Sequence, residues 1–507
     1  MVSRILLTLF LIVSFPPEIR NADSILFSPL IAGWYNCCLN TKRNIHFIHK
    51  SMMKKILFFM LLAAFFIAVA SDESSAIPAF ARKYNTSCAT CHVGFPKLNA
   101  FGDAFRRNGY QFPGHTDAEF IKQEEVSLGA EGNKKSFPDA IWPGTIPGHS
   151  PISLFLNGEV DYNPKTIEGD GSTNARWTFG GLGSAIETAI GGTLGEDMAF
   201  WGQASLSSEG LELNRIFLSI SNIIGDSYAL NARIGVFEPQ LFSFSTHRAW
   251  MEGYWLTTRA FDDAHMSWTL EEHLSGIEFN GMAANGRLFY SAGIVEGFGP
   301  LHSDKDFYGH LSYKIGGLPM DGVTAGGPNL NNLQPYVDNS LTIGAFAYSG
   351  NALIGADETT GVIGDTTFAT NDQTNTFTMI GGDINVWFDR LNLFGGIGIR
   401  KDNNPFLEAP NLSAKSSTAF AEIDVVAYPW LLPGIRLETW NSERAIDDPA
   451  NPGKAITKSY SDLQITPGIV FLWRPNVKWT LRTSFIKADG DSKFQMGQAA
   501  LLMSLGI

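Results

Sequence analysis

From Pro151 to Ile507 the chain runs as segments of about ten residues in which polar and apolar positions mix at a period of two, which suits strands and not helices. Phe420 to Tyr428 and Val470 to Trp473 show it plainly, with Trp and Tyr gathered at segment ends. The turns constrain the fold further. Tight turns at Gly225-Asp226, Asn285-Gly286, Phe388-Asp389-Arg390, Tyr428 to Pro433 and Arg474-Pro475-Asn476 alternate with long loops rich in Gly, Asn and Asp. The pattern predicts strands near 152–162, 185–193, 197–206, 211–221, 227–237, 273–283, 286–295, 306–316, 339–349, 375–387, 391–400, 417–427, 434–441, 463–473, 477–487 and 498–507. These make an all-β transmembrane barrel of about 16 antiparallel strands, with tight turns in the periplasm and long loops such as 350–374 and 442–462 outside.

A soluble β-sandwich or solenoid is the competing fold, but it does not need the turn asymmetry together with a closing strand that lines up Ala499, Leu501, Met503, Leu505 and Ile507 on one face. One stretch, Gly317 to Asn339, is long on the short-turn side and leaves room for a missed strand pair. A barrel this wide encloses an aqueous lumen unless something fills it. The N-terminal module is the expected plug, and the loop Glu238 to Glu272 is a second inward segment.

The chemistry is concentrated in Cys88-Ala89-Thr90-Cys91-His92, a C-x-x-C-H motif. In a c-type haem site both cysteines bond the haem vinyl groups and the histidine becomes the proximal iron ligand. A redox disulfide needs a βαβ context, and a zinc site needs four ligands; the remaining cysteines, Cys37 and Cys38, lie far upstream. The motif therefore predicts one covalent haem c.

Residues 77–150 read as the monohaem module and 151–507 as the barrel. Pro96 is expected at the first helical position, Leu98, Phe101 and Phe105 on one helical face, and Asn108-Gly109 at the stop. So short a segment can hardly bury a core without a prosthetic group. Arg106 and Arg107 suit haem propionates or the helix dipole. The module contains no methionine, so His115 is the leading candidate for the second iron ligand, with His149 next and a barrel ligand, a weak ligand or an open site behind them.

Upstream, Met53-Lys54-Lys55 and the apolar run Ile56 to Ala70 form a signal peptide over 52–76. Residues 1–51 then read as an over-extended gene start, with Met52 or Met53 as initiator; a genuine leader built on Ile5 to Val13 is the competing reading. A net charge of -13 and the lack of a basic stripe exclude a nucleic-acid partner.

Ile77 to Lys83, the C-x-x-C-H motif, Pro96, Leu98, Phe101-Gly102, Phe105 and Gly109-Tyr110 together resemble the fused monohaem cytochrome-porins of the outer membrane, known from iron-oxidising bacteria. The match covers about thirty-five residues, while the two-part architecture agrees over the mature chain. It departs from the family pattern at Asp103, usually basic, and Arg107, usually apolar. The resemblance implies electron transfer across the outer membrane, from extracellular Fe(II) or another donor to a periplasmic cytochrome c carrier. A haem tied to a barrel has little use as a diffusible carrier, which favours a wire on physical grounds too. The competing functions are a porin-type solute channel with a structural or sensory haem, and an enzyme with an open haem site. Dispersed loop carboxylates such as Asp357, Glu358, Asp447, Asp448, Asp489 and Asp491 fix no ligand geometry and read as solvated charge.

Overall fold

The structure, a computed structural model, describes residues 79–506 except 123–125, 128–130, 140–144, 168–172, 180–184, 208–209, 246–254, 259–272, 298–304, 325–336, 355–372, 407–408 and 452. The expected gene start and signal peptide lie outside the described residues.

The alternating segments close into an antiparallel barrel. Its strands are β1 Ile152–Ile167, β2 in two parts, Thr173–Thr178 and Ala185–Thr193, β3 Met198–Ser207, β4 Gly210–Ile220, β5 Asn231–Phe237, β6 Leu274–Ala283, β7 Leu288–Glu296 and β8 Lys305–Gly316. Then follow β9 Asp338–Ile354, β10 Gln373–Asp389, β11 Leu391–Asp402, β12 Ala414–Val425, β13 Leu431–Asp447, β14 Ala455–Arg474, β15 Val477–Lys487 and β16 Gln495–Gly506. Both parts of β2 run antiparallel along the same edge of β1, so they count as one interrupted strand and the barrel has sixteen among the described residues. The closure expected of the last segment is realised where β16 pairs β1, from Ala499 opposite Tyr162 to Gly506 opposite Phe155.

Each strand presents two faces. On β1, Ile152, Leu154 and Leu156 are exposed while Ser153 and Phe155 are buried, and Ile277, Phe279, Ile343, Ile397 and Leu437 continue the exposed apolar belt. Aromatic rings mark both rims: Tyr428 on Trp430 at 5.4 Å beside the tight turns, and Tyr162 against Trp177 at 4.9 Å toward the opposite end. No helix among the described residues is long and apolar enough to cross a membrane, and a closed barrel with an apolar belt crosses without one. The protein is an outer-membrane β-barrel of a Gram-negative-type bacterium, with its tight turns gathered at one rim.

Two expectations change. The segment 442–462 is mostly strand, because β13 runs to Asp447 and β14 begins at Ala455, leaving a short connection beyond the membrane. The described residues between β8 and β9 form a turn held by Met320 N to the Gly286 carbonyl at 2.8 Å, with no strand pair; the rest of that stretch lies outside the described residues.

The N-terminal module sits inside the barrel, toward the rim of tight turns. Helix α1, Ala79–Tyr84, donates from Ala79 N to Ser153 Oγ at 2.8 Å and from Lys83 Nζ to Thr193 Oγ1 at 2.9 Å. Helix α2, Ala100–Arg107, is followed by Asn108, whose amide donates to the Asp321 carbonyl at 2.8 Å. Lys97 reaches Asp424 on β12, an ion pair buried on both sides. From the opposite end, the described parts of the β5–β6 loop fold inward as expected. Ser243 N donates to Asp383 at 3.1 Å, Trp255 N donates to Glu438 at 2.7 Å, and Leu241, Phe242 and Leu256 are buried. Plug and loop meet where Arg107 donates to the Ser243 carbonyl at 2.9 Å. The core is therefore not the module's alone. Phe101, Phe105 and Phe112 belong to one apolar cluster with the lumen residues Phe217, Phe237, Tyr308, Phe346 and Phe394.

Candidate functional site

The motif segment is built by local hydrogen bonds before any long-range contact. Ser87 caps a 3-10 turn over Cys88–Thr90, and His92–Gly94 pairs with Lys97–Leu98 in a small hairpin. Pro96 sits in that hairpin and not at the helix start. Helix α2 starts instead after Asn99, whose side chain accepts from Gly102 N at 2.8 Å, a cap worth about 1 kcal/mol that proline cannot supply. The same Asn99 amide donates to the Thr90 carbonyl at 3.0 Å, and Asn99 N donates to the Cys91 carbonyl at 3.0 Å. At the other end Gly109, at φ 67°, terminates the helix, as expected from Asn108-Gly109.

Cys88, Cys91 and His92 all line one cavity between the plug and strands β1 to β3. Its walls are largely aromatic: Phe80 stacks on Tyr110 at 5.0 Å and on Trp201 at 6.1 Å, and Phe95 stacks on Phe155 at 4.9 Å. Burial pushes the Cys88 thiol up from its ordinary pKa. The His92 ring lies with Nδ1 3.1 Å from the Pro96 carbonyl. A carbonyl only accepts, so Nδ1 carries the proton and, in the neutral ring, Nε2 carries the lone pair, the arrangement a metal-ligating imidazole requires. Two thiols, an oriented imidazole and an aromatic wall fit a covalently held haem.

The structure brings together Cys88, Cys91 and His92, but not His115. Gly114 and His115 both adopt positive φ, 71° and 58°, and this turns the chain toward the β4–β5 turn. There His115 Nε2 lies 2.5 Å from the Asp226 carbonyl and the ring stacks on Tyr228 at 5.4 Å. His149 is buried but is not among the described cavity residues either. Among those residues the only histidine is His92, and there is no methionine. We expect His115→Ala to leave the visible spectrum of the loaded protein unchanged; a shift to a high-spin spectrum would restore His115 as an iron ligand.

The two departures from the family pattern form one pair. Asp103 lies 2.8 Å from Arg107 and 3.1 Å from Arg106. Arg107 packs over Phe289 at 4.1 Å and bonds the inward loop, a structural role, whereas Arg106 reaches the cavity wall. Burial opposes the Asp103 charge, but Arg107 and then Arg106 outweigh it and hold its pKa down to about 2. A folded-state pKa depressed from its ordinary value means a stabilisation that is complete above about pH 4 and is lost as pH falls through about 2. Denaturant unfolding of Asp103→Asn should lag the parent by about 2 kcal/mol near neutrality, with the gap closing between pH 4 and 2. A gap equally large at both ends would contradict this account.

Sequence reasoning missed Asn99 and Gly102 as positioning residues. Asn99 carries the N-cap signature and was legible as such, three residues before Gly102 N.

A barrel closed by its own N-terminal segment is the class the fold defines. No protein-family model and no curated protein matches the sequence. Among solved structures the chain is similar to an anion-selective porin from Comamonas acidovorans, at 13% identity and TM-score 0.44 over 71% of this chain and 99% of that one. It is also similar to the outer membrane channel DcaP of Acinetobacter baumannii, at 11% identity and TM-score 0.44 over 70% and 96% of the two chains. OprB of Pseudomonas putida matches at 12% identity and TM-score 0.43 over 74% and 96%. At scores this low, the fold assignment rests on the strand pairing itself.

Proposed function

We propose that the protein is an outer-membrane electron conduit in which one covalent haem, held by Cys88, Cys91 and His92, takes electrons from an extracellular donor such as Fe(II) and passes them to a periplasmic cytochrome. The observation that supports this reading is the meeting of the two inward segments: the plug and the inward loop join through Arg107 and the Ser243 carbonyl, and the motif lines a cavity against the barrel wall. When bound, haem supplies reversible one-electron chemistry. The chain supplies the rest. Cys88 and Cys91 would anchor the group, His92 would orient on its Pro96 hydrogen bond, and the Phe80, Tyr110 and Trp201 stack would keep water from it.

The rival reading, a solute channel, is favoured by one observation: an open polar cavity remains beside the described part of the inward loop. Vesicles containing the full chain and trapped oxidised cytochrome c separate the two readings. A conduit reduces the trapped cytochrome when Fe(II) is added outside and does not make vesicles swell in sugar; a channel makes them swell in sugar, whether or not the cytochrome is reduced.

A further inference from the structure

The outer wall of β11 to β13 combines charge and shape in a way the rest of the apolar belt does not require. On β11, Leu391, Leu393, Ile397, Ile399 and Lys401 face outward and are exposed, while Arg400 and Asp402 face inward and are buried. Lys401 stands ten residues beyond Leu391, about 33 Å of strand at the usual rise. At the tilt of a transmembrane barrel that length spans the apolar band of about 25 Å, so the Lys401 ammonium reaches the band's far edge. Lys415 on β12 is exposed too, and the register sets it directly opposite Lys401. Among the described residues neither ammonium has an ion-pair or hydrogen-bond partner. The carboxylate of Glu443 on β13 accepts instead from the Lys415 backbone N at 2.8 Å. Like charges directly opposite on one face of a sheet destabilise each other unless an anion lies between them. Below the pair the wall is grooved. The outward side chains of β12 are small, Ser417, Ala419 and Ala421, and the register flanks them with Ile399 and Ile397 on β11 and with Thr439 and Leu437 on β13. Two strand spacings, about 10 Å, separate the flanking backbones and leave room for one acyl chain between the larger side chains.

We propose that this face binds a phosphorylated glycolipid of the outer leaflet, with a headgroup phosphate between Lys401 and Lys415 and an acyl chain in the trough of Ser417, Ala419 and Ala421. Short turns face the periplasm in single-chain bacterial barrels, so the rim that carries the lysines is the outer-leaflet rim. The lysine stems lie over the apolar wall and hold their ammonium groups at the interface, where each favours an anionic headgroup by about fivefold. Charge also decides between lipid and protein as the cover. A symmetric contact between two copies of the chain would bring two lysine pairs together, whereas a phosphate neutralises one pair. The site lies outside the lumen and does not rest on the conduit reading.

Native mass spectrometry of the purified full chain, titrated with lipid A, dephosphorylated lipid A and phosphatidylglycerol, tests the site. We expect lipid A to bind more tightly than its dephosphorylated form by about tenfold or more. Lys401→Gln and Lys415→Gln should each lower that preference about fivefold, and the double change should remove it, with the heat-modifiable gel shift of a folded barrel retained. Ala419→Leu, which fills the trough, should weaken both forms alike by roughly fivefold and leave the preference unchanged. Should the double variant fail to assemble, the two single variants decide. Equal affinity for the two forms of lipid A, or a preference that survives the lysine changes, overturns the headgroup site. Phosphatidylglycerol binding as tightly as lipid A overturns the assignment to a glycolipid. A stable oligomer of the chain that Ala419→Leu dissociates, with lipid affinity unaltered, assigns the trough to a second copy and overturns its role as an acyl groove.

Discussion

Replacing either Cys88 or Cys91 by alanine will abolish haem staining that survives denaturation, while the barrel still assembles. Both thiols line the same cavity, and where attachment needs the pair, loss of either leaves the haem without a covalent bond and denaturation releases it. The strands do not depend on them, because the closing pairs of β16 with β1 and of β12 with β13 involve no module residue. His92→Ala should behave differently. It leaves both tethers in place, so some stain should persist, but it removes the imidazole fixed on the Pro96 carbonyl and should change the visible spectrum. Intact staining in both cysteine variants would eliminate the covalent haem, and with it the proposed conduit.

Gly102→Ala should dislodge the plug as a unit. An added Cβ would stand 2.0 Å from the Cys91 carbonyl oxygen, a backbone atom that cannot swing aside. Helix α2 cannot retreat cheaply either, since Asn99 ties its start to Thr90 while Arg107 and Asn108 tie its end to Ser243 and Asp321. Overpacking of this kind costs about 3 kcal/mol. It should appear as loss of haem incorporation and new protease cleavage in residues 79–122, with the barrel's gel mobility unchanged. Gly132→Ala, on a short helix where an added Cβ meets nothing within 4 Å, should change stability by less than about 1 kcal/mol. Equal behaviour of the two variants would refute the close packing of α2 on the motif.

The sequence by itself determined the features that depend on local period and local chemistry. A strand's faces alternate every two residues, so inside and outside on β1 to β16 were readable from the order of residues, and the tight turns identified one rim. The C-x-x-C-H motif was equally local, because its spacing is its chemistry. Tertiary structure decided what depends on residues far apart in the chain. Lys97 meets Asp424 across 327 positions, Arg107 meets Ser243 across 136, and the plug's aromatic core is completed by rings from the barrel wall. Periodicity carries no information about such partners. His115 illustrates the difference. Its residue type and its place in the module made it a reasonable ligand, but the positive φ values of Gly114 and His115 direct it to Asp226 and Tyr228. Backbone direction at two residues, set by packing against a turn more than a hundred positions away, outweighed composition.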